Sequence, residues 1–186
     1  MPERLIPGTT LSFSENGGMF SRFIPLIEAT NGLSLSQVCS ITGLEPSTVQ
    51  NWVKRKFVAR PVNKKYRERQ LARILLISSL RDAMKIESIG ELMAMVNGDA
   101  NDESDDIISE DRLYDYFCNA VSKAGSSLSN QEIERLISEA VRDYCPPSEE
   151  AGERLKKALA VMVYAYIAAE YKRKAEYEFG RMKKGE

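Results

Sequence analysis

The sequence predicts a mainly α-helical protein: a compact pair of short helices with a small wing, followed by a helical C-terminal domain. Three observations predict it. Apolar residues recur at helical spacing along most of the chain, as in Phe20, Phe23, Ile24 and Ile27 at i, i+3, i+4 and i+7. Helix-start and helix-stop residues punctuate these stretches at short intervals, with Asn31-Gly32, Gly43, Glu45-Pro46 and Pro146-Pro147 as the clearest. One β-prone stretch, residues 57–66, interrupts the helical pattern and is short.

Residues 1–18 are polar, contain Gly and Pro, and show no period, so they read as an arm. A short amphipathic helix is predicted over 19–30, closed by Asn31-Gly32. Ser36 is placed to cap a second helix with Val38, Cys39 and Ile41 inward, and Gly43 ends it. Pro46 suits the first position of a third helix, where a missing N–H costs nothing. That helix turns Val49, Trp52 and Val53 inward and leaves Ser47, Thr48, Gln50, Asn51, Lys54 and Arg55 outside. Two short helices, a Gly-containing turn and a polar, basic second helix describe a helix-turn-helix. Residues 57–66 form a hairpin or wing around Asn63-Lys64. Helices follow over 68–84, apolar on most sides at Ile74–Ile77, and from a Ser88 cap through Val96.

Asn97–Asp106 is a polar, acidic break that marks a domain boundary or long loop. Asp99, Asn101, Glu103, Asp105 and Glu110 follow EF-hand spacing, but Ser104 stands where the calcium loop needs glycine, so the segment reads as a solvated acidic loop. Three more helices are predicted: over 109–124 after Ser109, over 130–143 behind a Ser129/Glu132 capping box, and from Ser148 as far as Phe179. Ala158–Ala169 is apolar all round. Such a helix is buried on several sides, within its own domain or in a dimer. At twelve residues the run is too short to span a bilayer.

Composition removes whole classes of chemistry. The chain has no histidine, which excludes imidazole acid/base catalysis, Ser-His-Asp and Cys-His dyads and His-ligated metals. Cys39, Cys118 and Cys145 are isolated, so neither a zinc knuckle nor a disulfide framework is expected. No phosphate loop or nucleophile–base pair is visible, and no enzyme, cofactor or metal is expected. Met1–Phe13 does not read as a signal peptide, and the cysteine usage suits a reducing cytoplasm.

The net charge of −1 conceals a polar separation. Residues 50–85 hold eleven basic and two acidic groups, a balance of +9, whereas residues 86–116 hold one basic and ten acidic groups, a balance of −9. The basic block is the electrostatic footprint of phosphate binding.

Leu35–Val96 resembles the DNA-binding domain of MerR-type transcription regulators. Thr42-Gly43-Leu44-Glu45-Pro46-Ser47-Thr48-Val49-Gln50-Asn51-Trp52 falls on that family's turn and recognition helix, Tyr66-Arg67 where its wing closes, and Arg73–Met93 on its third and fourth helices. MerR proteins usually carry glycine where Lys56 stands, and an arginine and a tyrosine at Gln50 and Asn51. The run from Thr48 to Arg55, then Val62-Asn63-Lys64-Lys65-Tyr66, then Leu71–Ile77 is similar to the bacterial domain-of-unknown-function family numbered 1836, a likeness that continues into residues 107–117. The fold that follows is mainly α, a MerR-like winged helix-turn-helix domain followed by a C-terminal helical domain. Its parts are an N-terminal arm and short helix at 1–33, the helix-turn-helix domain at 34–97, and an acidic loop with C-terminal helices for oligomerisation or an effector at 98–186.

The expected function is a transcription regulator that binds double-stranded DNA, as a homodimer through its C-terminal helices, with two half-sites implied by the resemblance. Gln50 and Asn51 are candidates for reading base edges. Ser47 and Thr48, at the helix start, are candidates for phosphate. Lys54, Arg55, Arg60, Lys64, Lys65 and Arg67 are candidate phosphate clamps, and Tyr66 packs the wing base or bonds a phosphate. Trp52 is expected in the core, as are Tyr114, Tyr116, Phe117, Tyr164, Tyr166 and Tyr171, which otherwise line an effector pocket of unknown ligand. The competing expectation is a protein-interaction module whose basic face binds an acidic partner or the chain's own acidic segment.

Overall fold

A computed structural model of the chain describes residues 5–12, 20–100, 102, 104–124 and 129–184. A 3-10 turn, Phe20–Arg22, leads into α1 (Ile24–Ala29), α2 (Leu35–Thr42), α3 (Pro46–Lys54), α4 (Glu68–Leu80), α5 (Ile86–Asn97), α6 (Glu110–Lys123), α7 (Asn130–Ala140) and α8 (Glu149–Lys184). Among the described residues, extended pairing is confined to three isolated bridges, Leu5–Ser12, Leu33–Tyr66 and Val62–Lys65. The chain is mainly helical, as its periodicity requires.

Most helix ends follow the local chemistry of the sequence. Gly43 closes α2 in the left-handed region at φ 68°, and Ser129 and Glu132 form the expected capping box on α7. Three ends differ. α2 is capped by Ser34, which is extended and shares a box with Gln37, so Ser36 lies inside the helix. α4 stops at Leu80, because residues 81–84 turn back and the Ala83 and Met84 amides both donate to the Leu80 carbonyl. α5 then begins at Ile86, ahead of Ser88.

α4 is the central helix. Leu71 to Ile77 are all buried, which accounts for a stretch apolar on every side. It packs against α2, α5, α6 and α8. One cluster of buried residues runs without interruption from Ile6 to Tyr166, so the core is continuous across the segment expected to separate two domains. Tyr114, Tyr116, Phe117 and Tyr166 belong to it, with Phe117 and Tyr166 edge to face at 5.7 Å; Tyr164 and Tyr171 are exposed. Part of the predicted arm is also folded onto this core. Ile6 is buried, Tyr114 donates its hydroxyl proton to the Pro7 carbonyl at 2.7 Å, and the Thr10 amide donates to the Ile41 carbonyl. Gly8 permits the approach, since at φ 74° a Cβ would collide with the Leu75 carbonyl oxygen. Residues 1–4 and 13–18 of that arm, and Met19 of the predicted first helix, lie outside the described residues.

The acidic segment is solvated only in part: Asp99, Asp102, Ser104 and Asp105 are exposed, whereas Asp106 and Glu110 turn inward. Glu110 is 1% exposed and accepts from Arg73 Nη1 and from Arg69 Nε, both at 3.0 Å. Asp106 takes Arg69 Nη2 at 3.1 Å, and the same nitrogen donates to the Asp102 carbonyl. Arg73 also donates through Nε to the Phe57 carbonyl at 2.8 Å. Two arginines of the basic block and two carboxylates of the acidic block therefore neutralise one another inside the fold. An ion buried alone costs several kcal/mol, so these groups fold together. Desolvation, reinforced by the neighbouring Glu110 charge, raises the Asp106 carboxyl to about 6 despite Arg69. Of the EF-hand-spaced residues, Asn101 and Glu103 lie outside the described residues.

Glu110→Ala is expected to lower the unfolding free energy by about 3–5 kcal/mol in a urea titration, because it strands the buried Arg73 guanidinium. Arg73→Met with Glu110→Leu is expected to restore most of the loss. Asp106 binds its proton more tightly folded than unfolded. Its contribution to stability is therefore complete below pH 4 and is lost as the pH rises through about 6. Asp106→Asn is expected to flatten that limb of the stability–pH curve.

Candidate nucleic-acid interface

α3 carries the candidate surface. Val49 and Trp52 are buried and Val53 is half-buried, which fixes the helix against the core and turns its other side outward. Ser47, Gln50, Asn51 and Lys54 are exposed at i, i+3, i+4 and i+7, and Thr48 is half-exposed beside them. They form one polar face about 10 Å long.

The end of α3 is a Schellman closure. The Phe57 amide donates to the Trp52 carbonyl at 2.9 Å and the Lys56 amide to the Val53 carbonyl at 3.1 Å. Lys56 occupies the left-handed position of that motif at φ 64°, where glycine is the usual residue. The hairpin at Val62–Lys65 repeats the feature. Val62 and Lys65 exchange both backbone hydrogen bonds across Asn63-Lys64, and both central residues have positive φ, 51° and 61°. This is a type I′ hairpin turn whose second central position favours glycine, and it holds Lys64 instead. The chain thus projects two lysines from backbone positions that charge any side chain a strain cost.

The remaining candidates divide. Arg60 and Lys64 are exposed and Lys65 is half-buried at the hairpin. Arg67 is exposed and donates through Nη2 to Asn31 Oδ1. Arg55 stacks on the Phe57 ring at 4.7 Å and pairs with Glu87 at 2.6 Å. That contact holds the Glu87 carboxyl below its ordinary range, first through the hydrogen bond. Tyr66 is 4% exposed and its backbone pairs reciprocally with Leu33, so its side chain packs into the core at the base of the hairpin.

Beside α3 lies an open groove of about 550 Å³, bounded by Thr48, Trp52 and Arg55 on one side and by Arg81, Lys85 and Glu87 on the other. Arg81 and Lys85 belong to the basic block of residues 50–85, and the turn between α4 and α5 brings them beside α3. Lys56 had a local signal, a lysine where a helix C-terminus wants glycine. Arg69 and Arg73 belong to the same block yet are consumed by the core. The acidic segment, in its described residues 102 and 106, reaches α4 through Arg69, and the outer face of α3 stays open to solvent.

Residues 23–117 match the family described as Domain of unknown function (DUF1836), and the chain belongs to that family. The matched span holds α1–α5, the Val62–Lys65 hairpin, the ion-pair cluster and the first half of α6, while α7 and α8 lie beyond it. The chain is also similar to the uncharacterized protein YkrK of Bacillus subtilis (strain 168), 28% identical over 120 residues, 56% of this chain and 52% of that protein. It spans about half the length of this curated relative. No solved structure matches it.

Lys64→Gly is expected to stabilise the fold by roughly 0.5–1 kcal/mol in chemical denaturation, by relieving the left-handed backbone at the hairpin tip.

Proposed function

We propose that this chain binds double-stranded DNA as a transcription regulator, with α3 as recognition helix in a MerR-like arrangement. The observation that carries this reading is the juxtaposition of an exposed amide-and-cation face on α3 with two lysines held at strained backbone positions. Strain of that kind persists where the side chain has a task. Gln50 and Asn51 supply amides suited to adenine edges in the major groove. Ser47 and Thr48 meet a phosphate at the start of α3, together with its backbone N–H groups. Lys54 and Lys56 lie along one phosphate strand, and Arg60, Lys64 and Lys65 at the wing reach the next. Arg81 and Lys85 line the far wall of the groove. Arg67, bonded to Asn31, orients the wing base.

Arg55 is held by Glu87, so docking on DNA exchanges that pair for a phosphate. Both groups are well exposed, and an exposed ion pair yields readily to a polyanion.

Fluorescence anisotropy against random duplex DNA across a salt series tests the reading. The logarithm of affinity is expected to fall with log salt by about 0.9 per contacted phosphate. Lys54→Glu with Arg55→Glu is expected to weaken binding at least about 100-fold, the scale of losing two phosphate contacts and gaining two repulsions. Lys64→Gly weakens binding while the fold becomes more stable, a separation that a purely structural lysine would not give. Glu87→Gln is expected to tighten binding a few-fold by releasing Arg55. A folded protein that fails to bind duplex at low salt overturns the proposal.

A further inference from the structure

Residues 5–12 lie outside the span 23–117 that matches the family, yet they touch the part of the fold that aims α3. They form a short strap with its own internal wiring. Leu5 and Ser12 pair across its mouth. The Ile6 amide donates to the Leu11 carbonyl at 2.8 Å. The buried Thr9 hydroxyl donates to the Ile6 carbonyl and accepts from the Leu11 amide, both at 3.0 Å. Local hydrogen bonds of this kind fix the shape of a loop from within.

One edge of the strap reaches α2. The last four carbonyls of a helix have no partner inside it. In α2 the Thr10 hydroxyl is shared between the Ser40 and Ile41 carbonyls, 3.2 Å from each, and the Thr10 amide donates to Ile41 at 2.9 Å. Thr10 therefore closes α2 from outside the helix. It lies directly on Gly43, where a Cβ would stand 2.8 Å from Thr10 Cγ2. Residues 43–45 are the turn that hands the chain to α3, and α3 packs chiefly on α2. The pose of α3 is inherited from this junction.

The other edge is fixed to the body. Tyr114 of α6 donates to the Pro7 carbonyl, and Gly8 lies against the Leu75 carbonyl of α4. Tyr114 stands one turn beyond Glu110, which acts through Arg73 on the Phe57 carbonyl at the exit of α3. One turn of α6 thus reaches both sides of α3: the exit through an ion pair, the approach through the strap.

We propose that residues 5–12 set the pose of α3, and through it the affinity of that helix for DNA, with Thr10 as the positioning residue and Tyr114 as its anchor. The link to affinity rests on the reading of α3 as a DNA-contacting helix; the link from strap to turn does not. A helix held out of place in some molecules weakens binding by the fraction misplaced, because those molecules must reorder before they dock. Removing the Thr10 hydroxyl shifts that balance by up to about tenfold, the scale of one net hydrogen bond.

The test compares Thr10→Val, Thr10→Ser and Tyr114→Phe in the full chain. Valine keeps the shape of threonine and the backbone bond but loses the hydroxyl, whereas serine keeps the hydroxyl. Amide hydrogen exchange at residues 43–49 is expected to quicken about three- to tenfold in Thr10→Val and Tyr114→Phe, with Ile74–Ile77 unchanged, and to return to the wild-type rate in Thr10→Ser. Affinity for random duplex DNA, by fluorescence anisotropy, is expected to fall by about the same factor in Thr10→Val and to recover in Thr10→Ser, while the thermal midpoint moves by less than about 4 °C. Wild-type exchange at residues 43–49 in Thr10→Val overturns the proposal, as does exchange quickened throughout the chain or a serine variant no better than valine. So does a Thr10→Val protein that binds DNA as tightly as wild type. A wild-type chain that binds no duplex overturns the DNA reading, and quickened exchange at residues 43–49 then supports the strap's hold on α3 without it.

Discussion

The buried pair between Arg73 and Glu110 is the constraint around which this fold is arranged. Arg73 sits in the middle of the central helix, 4% exposed, and a guanidinium there demands an acid that is also buried. Glu110, in the first turn of α6, answers it and recruits Arg69 as well. Arg73 also donates to the Phe57 carbonyl just after α3. A single side chain thereby sets the exit of α3, the start of α6 and the course of the acidic segment between α5 and α6. Apolar burial supplies the bulk of the stability, but it is non-directional. The ion pair fixes which face of α6 meets α4.

From this follows the placement of the polar face of α3. The helix is short, and its hold on the body depends on Val49 and Trp52 beneath it and on the closure that Phe57 makes behind it. With that closure anchored through Arg73, the hairpin segment that follows returns to the core at Tyr66, which is paired to Leu33. Lys56 and Lys64 stand on either side of that rigid frame. Both backbone sites would be at ease with glycine, so their cost is met by the surrounding order.

The helices were legible because their signals are local. Gly43, Pro46 and the Ser129/Glu132 box act within a turn of themselves, and α2, α3 and α7 lie where those residues require. The outward face of α3 was legible for the same reason, since Val49, Trp52 and Val53 declare the inner side. What could not be read was long-range pairing. A run such as Asn97–Asp106 has the composition of a solvated break, and nothing nearby reveals that Asp106 and Glu110 meet arginines some forty residues earlier in the chain. Arg69 and Arg73 were indistinguishable by sequence from the surface cations Lys54 and Arg60, although one pair faces inward and the other faces water. Tyr66 and the segment around Gly8 failed similarly, because what buries them, Leu33 and the Leu75 carbonyl, comes from elsewhere in the chain. The run Ala158–Ala169 is apolar on every side although the core covers only one face of it, and Val161, Tyr164 and Ala168 are exposed.

Asp82, the anchor for Arg173, lies in the turn between α4 and α5, one of the walls of the groove beside α3. The far helix and the groove are therefore mechanically in series. Tilting α8 pulls on the turn that carries Arg81 and Lys85, and a load on that turn is felt along α8. The ion pair is exposed and adds below about 1 kcal/mol to a connection that the packing of α4 and α5 on α8 already makes.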